Sequence, residues 1–158
     1  MSGVIDIPIE RLTFIDEHVV GIEADERQVW DALLATLPRI LDTGFARRFG
    51  SLVGVEHLKA EGNCGTIGST LPGFVVARAV PPAVLALLGQ HRFSRYSLVF
   101  RIARAGDRVS LRAETRAEFP GKKGRLYRGL VIDTRGHVLV VRRMLKAVKR
   151  RAEAAADS

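Results

Sequence analysis

The sequence predicts an α+β fold in which a long C-terminal helix covers one face of an antiparallel sheet. Over residues 53–119, apolar and polar residues alternate in short runs, which is the period of strands with one buried face. Over residues 124–155 the apolar residues instead recur at helical spacing. A chain of 158 residues, 47% of them hydrophobic, is long enough for one domain that buries roughly 70% of its unfolded surface.

The N-terminal part is predicted to form one strand and two short helices. Residues 13–22, TFIDEHVVGI, mix β-branched and apolar residues with charges and lack a helical period, so we expect a strand there. Asp25 and Gln28 have the spacing of a capping box at the start of an apolar helical pattern. Pro38 should end or bend this helix, and a second short helix should follow within residues 25–50. The residues before the strand, 1–12, could be flexible.

Residues 53–119 are predicted to form the rest of an antiparallel sheet. Together with the strand at residues 13–22, we expect about six or seven strands. Pro81-Pro82 and Gly106-Asp107 separate the later runs as tight turns do. Pairing each strand with the next one in an antiparallel direction is the simplest arrangement for runs joined by short turns. The predicted strands are VGVEHL, GTIGST, FVVARAV, AVLALL, RYSLVFRIA and RVSLRAETRAEF.

Residues 124–155 are predicted to form an amphipathic helix after the breaker Pro120-Gly121. At about 100° per residue, its apolar residues fall within an arc of roughly 140°, and most of its bases project from the opposite side. Gly136 could break the helix, but the part after it would keep the apolar stripe. The stripe comprises Leu126, Tyr127, Leu130, Val131, Thr134, His137, Val138, Val141, Met144, Leu145 and Val148.

The net charge of +8 is unevenly distributed along the chain. Residues 1–61 hold 6 bases and 11 acids, whereas residues 62–158 hold 19 bases and 6 acids. Such asymmetry permits a surface for RNA, the ribosome or an anionic membrane on the basic side of the helix. Because 20 of the 25 bases are Arg and are spread over strands and helix alike, solvated side chains explain most of them equally simply.

Several other classes of protein are disfavoured by the sequence. The N-terminus lacks the features of a secretory signal and no apolar run approaches about 20 residues, so we expect a soluble cytoplasmic protein. The single cysteine, Cys64, cannot form an internal disulfide. No zinc spacing, P-loop or G-x-S-x-G elbow is present, so neither a metal nor a cofactor is expected.

Three stretches resemble the SRPBCC superfamily of START-like, pollen-allergen-like and polyketide cyclase-like proteins. They are residues 20–37 (VGIEADERQVWDALLATL), residues 73–88 (GFVVARAVPPAVLALL) and residues 95–148. The resemblance implies a helix-grip fold, in which a curved sheet wraps around the long helix and leaves a mostly apolar cavity near the short helices. Members bind lipids, sterols, hormones or polyketides, and some are cyclases or hydrolases.

The strand and helix phases predict which residues would line such a cavity. Phe45 and Phe49 would lie at its mouth, and Tyr96, Thr115, Tyr127, Thr134 and His137 would be the polar groups that orient a ligand. A solid core with satisfied hydrogen bonds is the alternative for all of them. The remaining predicted lining residues are Phe74, Val76, Leu85, Leu87, Leu98, Phe100, Leu111, Ala113, Leu126, Leu130 and Val138.

The function that the predicted fold and the resemblance favour most is binding or transport of a small hydrophobic ligand. Arg78 shares strand parity with Phe74 and Val76, so it either enters the pocket to hold a carboxylate or phosphate, or points to water. A cyclase or dehydratase using Tyr96, His91 or Arg78 is the alternative, although His91 could equally be an ordinary loop residue. The sequence does not indicate an oligomeric state.

Overall fold

A computed structural model of the chain describes residues 8–42, 62–91, 94–129 and 136–158. A short 3-10 turn at Ile9–Arg11 precedes the first strand. The strands are β1 (Thr13–Ile22), β2 (Thr70–Leu71), β3 (Phe74–Val80), β4 (Val84–His91), β5 (Ser94–Ala105) and β6 (Arg108–Glu118); the helices are α1 (Glu26–Leu41), α2 (Gly121–Arg128) and α3 (Gly136–Ala156).

The described strands form one six-stranded antiparallel sheet in the order β1-β6-β5-β4-β3-β2. The predicted α+β class with a long C-terminal helix is confirmed. The run GTIGST is largely not a strand, since only Thr70–Leu71 pairs with β3. Gly68, with φ of +88°, turns the chain within this run, and regular extended strand does not have that conformation. The run VGVEHL lies outside the described residues.

Helix α1 begins where the sequence predicts. The Gln28 backbone N–H donates to Asp25 Oδ1 at 2.8 Å, and the Asp25 N–H donates to Gln28 Oε1 at 3.0 Å, which completes a capping box. Pro38 lies inside the helix, which continues to Leu41, so of the two predicted effects, an end or a bend, Pro38 does not end the helix. Most of the predicted second short helix falls on residues 43–50, outside the described part.

A cysteine compensates for the missing donor of Pro38. A residue at this position would normally donate its N–H to the Leu34 carbonyl, and proline has none. The Cys64 thiol donates to that carbonyl at 3.0 Å instead. Burial raises the pKa of this thiol, so it stays protonated and able to donate. The contact also joins the turn at residues 62–69 to α1.

Helix α3 lies along β1, and hydrogen bonds join the two elements near both ends. His137 contacts Asp16 at 2.8 Å, and Glu153 accepts from the backbone N–H of Glu23 at 3.0 Å. The 16 residues of helix between the two contacts span about 24 Å. The seven residues of strand span about 23 Å, so helix and strand run in the same direction with matched lengths.

The inner face of the sheet, defined as the side that packs against α1 and α3, carries the hydrophobic core. Phe100, Leu111 and Ala113 from β5 and β6 are fully buried there. The predicted single helix over residues 124–155 is described as two helices, α2 and α3, and the residues between them lie outside the described part. The core residues of the two larger helices include Val29, Trp30, Leu33, Leu37, Val141, Met144, Leu145, Val148 and Ala152.

Candidate functional site

Most of the apolar residues predicted to line a cavity lie on the inner face. Val76, Leu85, Leu87, Leu98, Phe100, Leu111 and Ala113 are all at most 5% exposed, and Phe74 and Val138 are half-buried. Whether they contact a ligand stays a prediction. Four of the predicted residues, Phe45, Phe49, Leu130 and Thr134, lie outside the described residues, as do the side chains of His91 and Tyr127.

Arg78 lies on the outer face, so of its two predicted positions, inside the pocket or pointing to water, the structure has the second. Val76 pairs with Leu87 while Arg78 pairs with Ala86, so β3 has one extra residue between them. A β-bulge of this kind reverses the side to which the following residues point. Arg78 is therefore exposed, and Ala79 packs against the core in its place.

Leu126 also departs from its predicted inward position. Its side chain is 72% exposed on α2. The prediction applied one helical phase to all of residues 124–155, whereas the structure describes a helix only over α2 and α3, with residues 130–135 outside the described part. The α2 residue that packs closely is Gly124: a Cβ there would lie 2.8 Å from the Phe119 carbonyl carbon.

Tyr96 is held by the ends of β3 and β4. Its hydroxyl donates to the Gly73 carbonyl at 2.8 Å, and its ring packs edge-on against Phe74 at 5.2 Å. Burial raises the pKa of Tyr96 to about 12, so the phenol stays neutral at physiological pH. With Arg78 on the outer face, the structure does not bring these two suggested catalytic residues together.

A half-buried cluster of polar side chains lies on the inner face between β1, β6 and the start of α3. We define the Asp16 cluster as Asp16, His18, Thr115 and His137. Asp16 Oδ2 contacts His137 Nε2 at 2.8 Å and His18 Nε2 at 3.3 Å. Because a carboxylate oxygen only accepts, both imidazoles donate to this one oxygen. Asp16 follows a β-bulge in β1 and has the inward parity of Ile22.

Two oxygens of the Asp16 cluster are buried without a hydrogen-bond partner among the described residues. They are Asp16 Oδ1 and Thr115 Oγ1. Asp16 and Thr115 are Cα partners across β1 and β6, which places their Cβ atoms about 5 Å apart. Leaving such a group unsatisfied in a protein interior costs about 1–3 kcal/mol. The pair therefore offers an acceptor and a hydroxyl on neighbouring strands of the inner face.

A pocket of about 260 Å³ lies next to the Asp16 cluster. It is formed between α2 and the edge of the sheet where β1 begins and β6 ends. Thr13 and Ala117, which line it, pair across β1 and β6 one inward row before Asp16 and Thr115. Successive inward rows are about 7 Å apart. The pocket is lined by Thr13, Ile15, Ala117, Glu118, Phe119, Arg125 and Arg128.

Sequence reasoning identified Thr115 and His137 but not Asp16, His18 or the two arginines of α2. Asp16 and His18 share strand parity with Ile22, a core residue, so the alternation in β1 held a signal for them. Their contact with His137 joins residues 121 positions apart in the chain, which no local pattern predicts. Within the described residues, no three His, Cys, Asp or Glu side chains are arranged to hold a metal ion.

The basic side chains of α3 lie mainly opposite its core-facing stripe. Arg142, Arg143, Lys146 and Arg150 are exposed, while Lys149 is 3.7 Å from Glu153 on the same helix. None of the described helices has both the length and the apolar character that a membrane-spanning helix requires.

No protein-family model matches the sequence, and no curated protein matches it either. Solved structures do match. Protein CV1439 from Chromobacterium violaceum has a TM-score of 0.55 at 11% identity over 87% of this chain and 96% of that chain. A truncated norcoclaurine synthase from Thalictrum flavum has a TM-score of 0.52 at 13% identity over 89% and 95%. The Aha1 dimer from Colwellia psychrerythraea has a TM-score of 0.50 at 14% identity over 87% and 94%.

The chain has the helix-grip fold. The resemblance to the SRPBCC superfamily that the sequence suggested is confirmed as a likeness of fold, because the matches cover nearly the whole of each chain. Identities of 11% to 14% extend no further than the fold. The function of the chain must therefore be inferred from the residues of its inner face.

Proposed function

We propose that the chain binds a small, largely hydrophobic molecule in the pocket between α2 and the ends of β1 and β6. The observation that carries this proposal is the pocket of about 260 Å³ between α2 and the sheet, with the half-buried Asp16 cluster and its two buried oxygens beside it. Small-molecule sites are typically concave and mostly apolar, with a few polar groups that fix orientation, and their volumes begin near 300 Å³. The helix-grip fold supports the same reading, since its members bind hydrophobic molecules.

The pocket would enclose one ring or a short chain of the ligand, and the rest of a larger molecule would extend through its open side. The apolar side chains of Ile15, Ala117 and Phe119 would contact its body. Arg125 and Arg128 lie at the outer side of the pocket, where they are exposed and keep the entrance polar. Burial of the ligand's apolar surface would supply the binding energy at about 25 cal/mol per Å².

Titration with the neutral fluorophore Nile red tests this proposal. We expect saturable binding at about one site per chain. Thr13→Trp places a bulky ring at an exposed residue that lines the pocket, so it should reduce binding at least tenfold while the protein stays folded. Arg112→Trp adds the same ring at an exposed position on the outer face of β6 and should bind like the unmodified chain. Nonsaturable binding, or equal binding by both variants, would contradict the proposal.

A further inference from the structure

The Asp16 carboxylate is fixed in place before any ligand arrives. Both hydrogen bonds from His18 and His137 go to the same oxygen, Oδ2. Two donors on one oxygen restrain the carboxylate, and neither imidazole bonds to its other oxygen, Oδ1. Oδ1 is buried and has no partner among the described residues. A hydrogen bond to this oxygen would be charge-assisted and thus stronger than one between neutral groups.

Thr115 completes a two-point site. Its Oγ1 is buried and unpartnered among the described residues, and its Cα pairs with that of Asp16 across the strands. A hydroxyl both donates and accepts, whereas the carboxylate only accepts. A single atom lying between the two could donate to Asp16 Oδ1 while it accepts from Thr115 Oγ1.

The chemistry of this pair selects one kind of head group. An alcohol or phenol hydroxyl both donates and accepts, so it satisfies both oxygens. A carboxylate has no proton to donate and would be repelled by Asp16, while a ketone could accept from Thr115 but leave Asp16 without a partner. An ammonium group could donate to both and pair with Asp16, but it would lose its hydration and lie near the positive charges of Arg125 and Arg128, which line the adjacent pocket.

We propose that the ligand is an alcohol or phenol on an apolar body, and that its hydroxyl binds between Asp16 Oδ1 and Thr115 Oγ1. This inference rests on the proposed function, because it specifies the polar part of the same ligand. The apolar body would occupy the pocket beside Ala117, one inward row away from the hydroxyl site.

Competition against Nile red tests the proposal with four probes that share one apolar body: 4-hexylphenol, hexylbenzene, 4-hexylbenzoate and 4-hexylbenzylamine. We expect the unmodified chain to bind 4-hexylphenol at least tenfold more tightly than hexylbenzene. The benzoate and the benzylamine should bind more weakly than the phenol. Equal binding of the phenol and hexylbenzene, or tighter binding of the amine or the benzoate, would overturn the inference.

Substitutions at Thr115 then locate the hydroxyl. Thr115→Val keeps the shape but removes the hydroxyl, so the phenol preference should fall at least threefold, while hexylbenzene binds as before. Thr115→Ser restores the hydroxyl and should restore the preference. Because each variant is judged by the ratio of two dissociation constants, differences in hydrophobicity between the probes cancel.

An unchanged preference in Thr115→Val would show that the hydroxyl binds elsewhere and would overturn the inference while the proposed function stands. If Nile red and all four probes fail to bind the unmodified chain, the proposed function fails and the inference fails with it. The two failures are therefore distinguishable.

Discussion

Thr115→Val should stabilise the protein in the absence of ligand. Valine has nearly the shape of threonine and suits a strand, but it has no hydroxyl to bury. Thr115 Oγ1 has no partner among the described residues, and an unsatisfied buried hydroxyl costs about 1–3 kcal/mol. Since the rest of the side chain is only half-buried, we expect a gain of about 1–2 kcal/mol. For a domain of this size that corresponds to a melting temperature about 2–8 °C higher.

Tyr96→Phe is the matched control, because it also deletes one buried hydroxyl. That hydroxyl donates to the Gly73 carbonyl at 2.8 Å, so its loss leaves an acceptor unsatisfied. We expect a loss of about 1 kcal/mol, opposite in sign to the change at Thr115. Thermal and urea unfolding followed by circular dichroism measure both. If Thr115→Val leaves stability unchanged or lowers it, the hydroxyl is satisfied in the free protein and the reasoning for a ligand site there is refuted.

Three further substitutions test the fold by the same unfolding assays. Gly89→Ala should destabilise by about 3 kcal/mol, because the new Cβ would lie 2.5 Å from a neighbouring backbone carbonyl; a loss below about 1 kcal/mol would contradict this packing. Asp25→Ala should cost about 1 kcal/mol by removing the cap of α1, and a Ser replacement should recover most of it. Cys64→Ala should cost about 1–2 kcal/mol because it leaves the Leu34 carbonyl without its donor, but less in a Pro38→Ala background, where the helix supplies an N–H; equal costs in both backgrounds would count against the compensation.

The sequence predicted the elements that depend on local patterns. The alternation in β6 and the capping box at Asp25 both appear in the structure, because each depends only on residues close together in the chain. The same is true of the core-facing stripe of α3, whose residues Val141, Met144 and Val148 are buried. These local features identify which residues of each element face the core.

The sequence failed where one extra residue changes the phase of a strand. The bulge before Arg78 turned that side chain outward, whereas Asp16, which follows the bulge in β1, keeps the inward parity of Ile22. Counting alternate residues cannot detect a bulge, because the pattern on either side of it is still regular. The polar site was also missed because Asp16 and His137 lie 121 positions apart in the chain, and only folding brings them into contact.

Native mass spectrometry of the chain purified from its own cells is the most direct test of the central claim. The account predicts one hydrophobic, hydroxyl-bearing molecule per chain, released by organic solvent and absent from the Thr13→Trp variant prepared in the same way. A chain that carries no such molecule, or a variant that retains the same passenger as the unmodified chain, would contradict binding in the pocket beside Asp16 and Thr115.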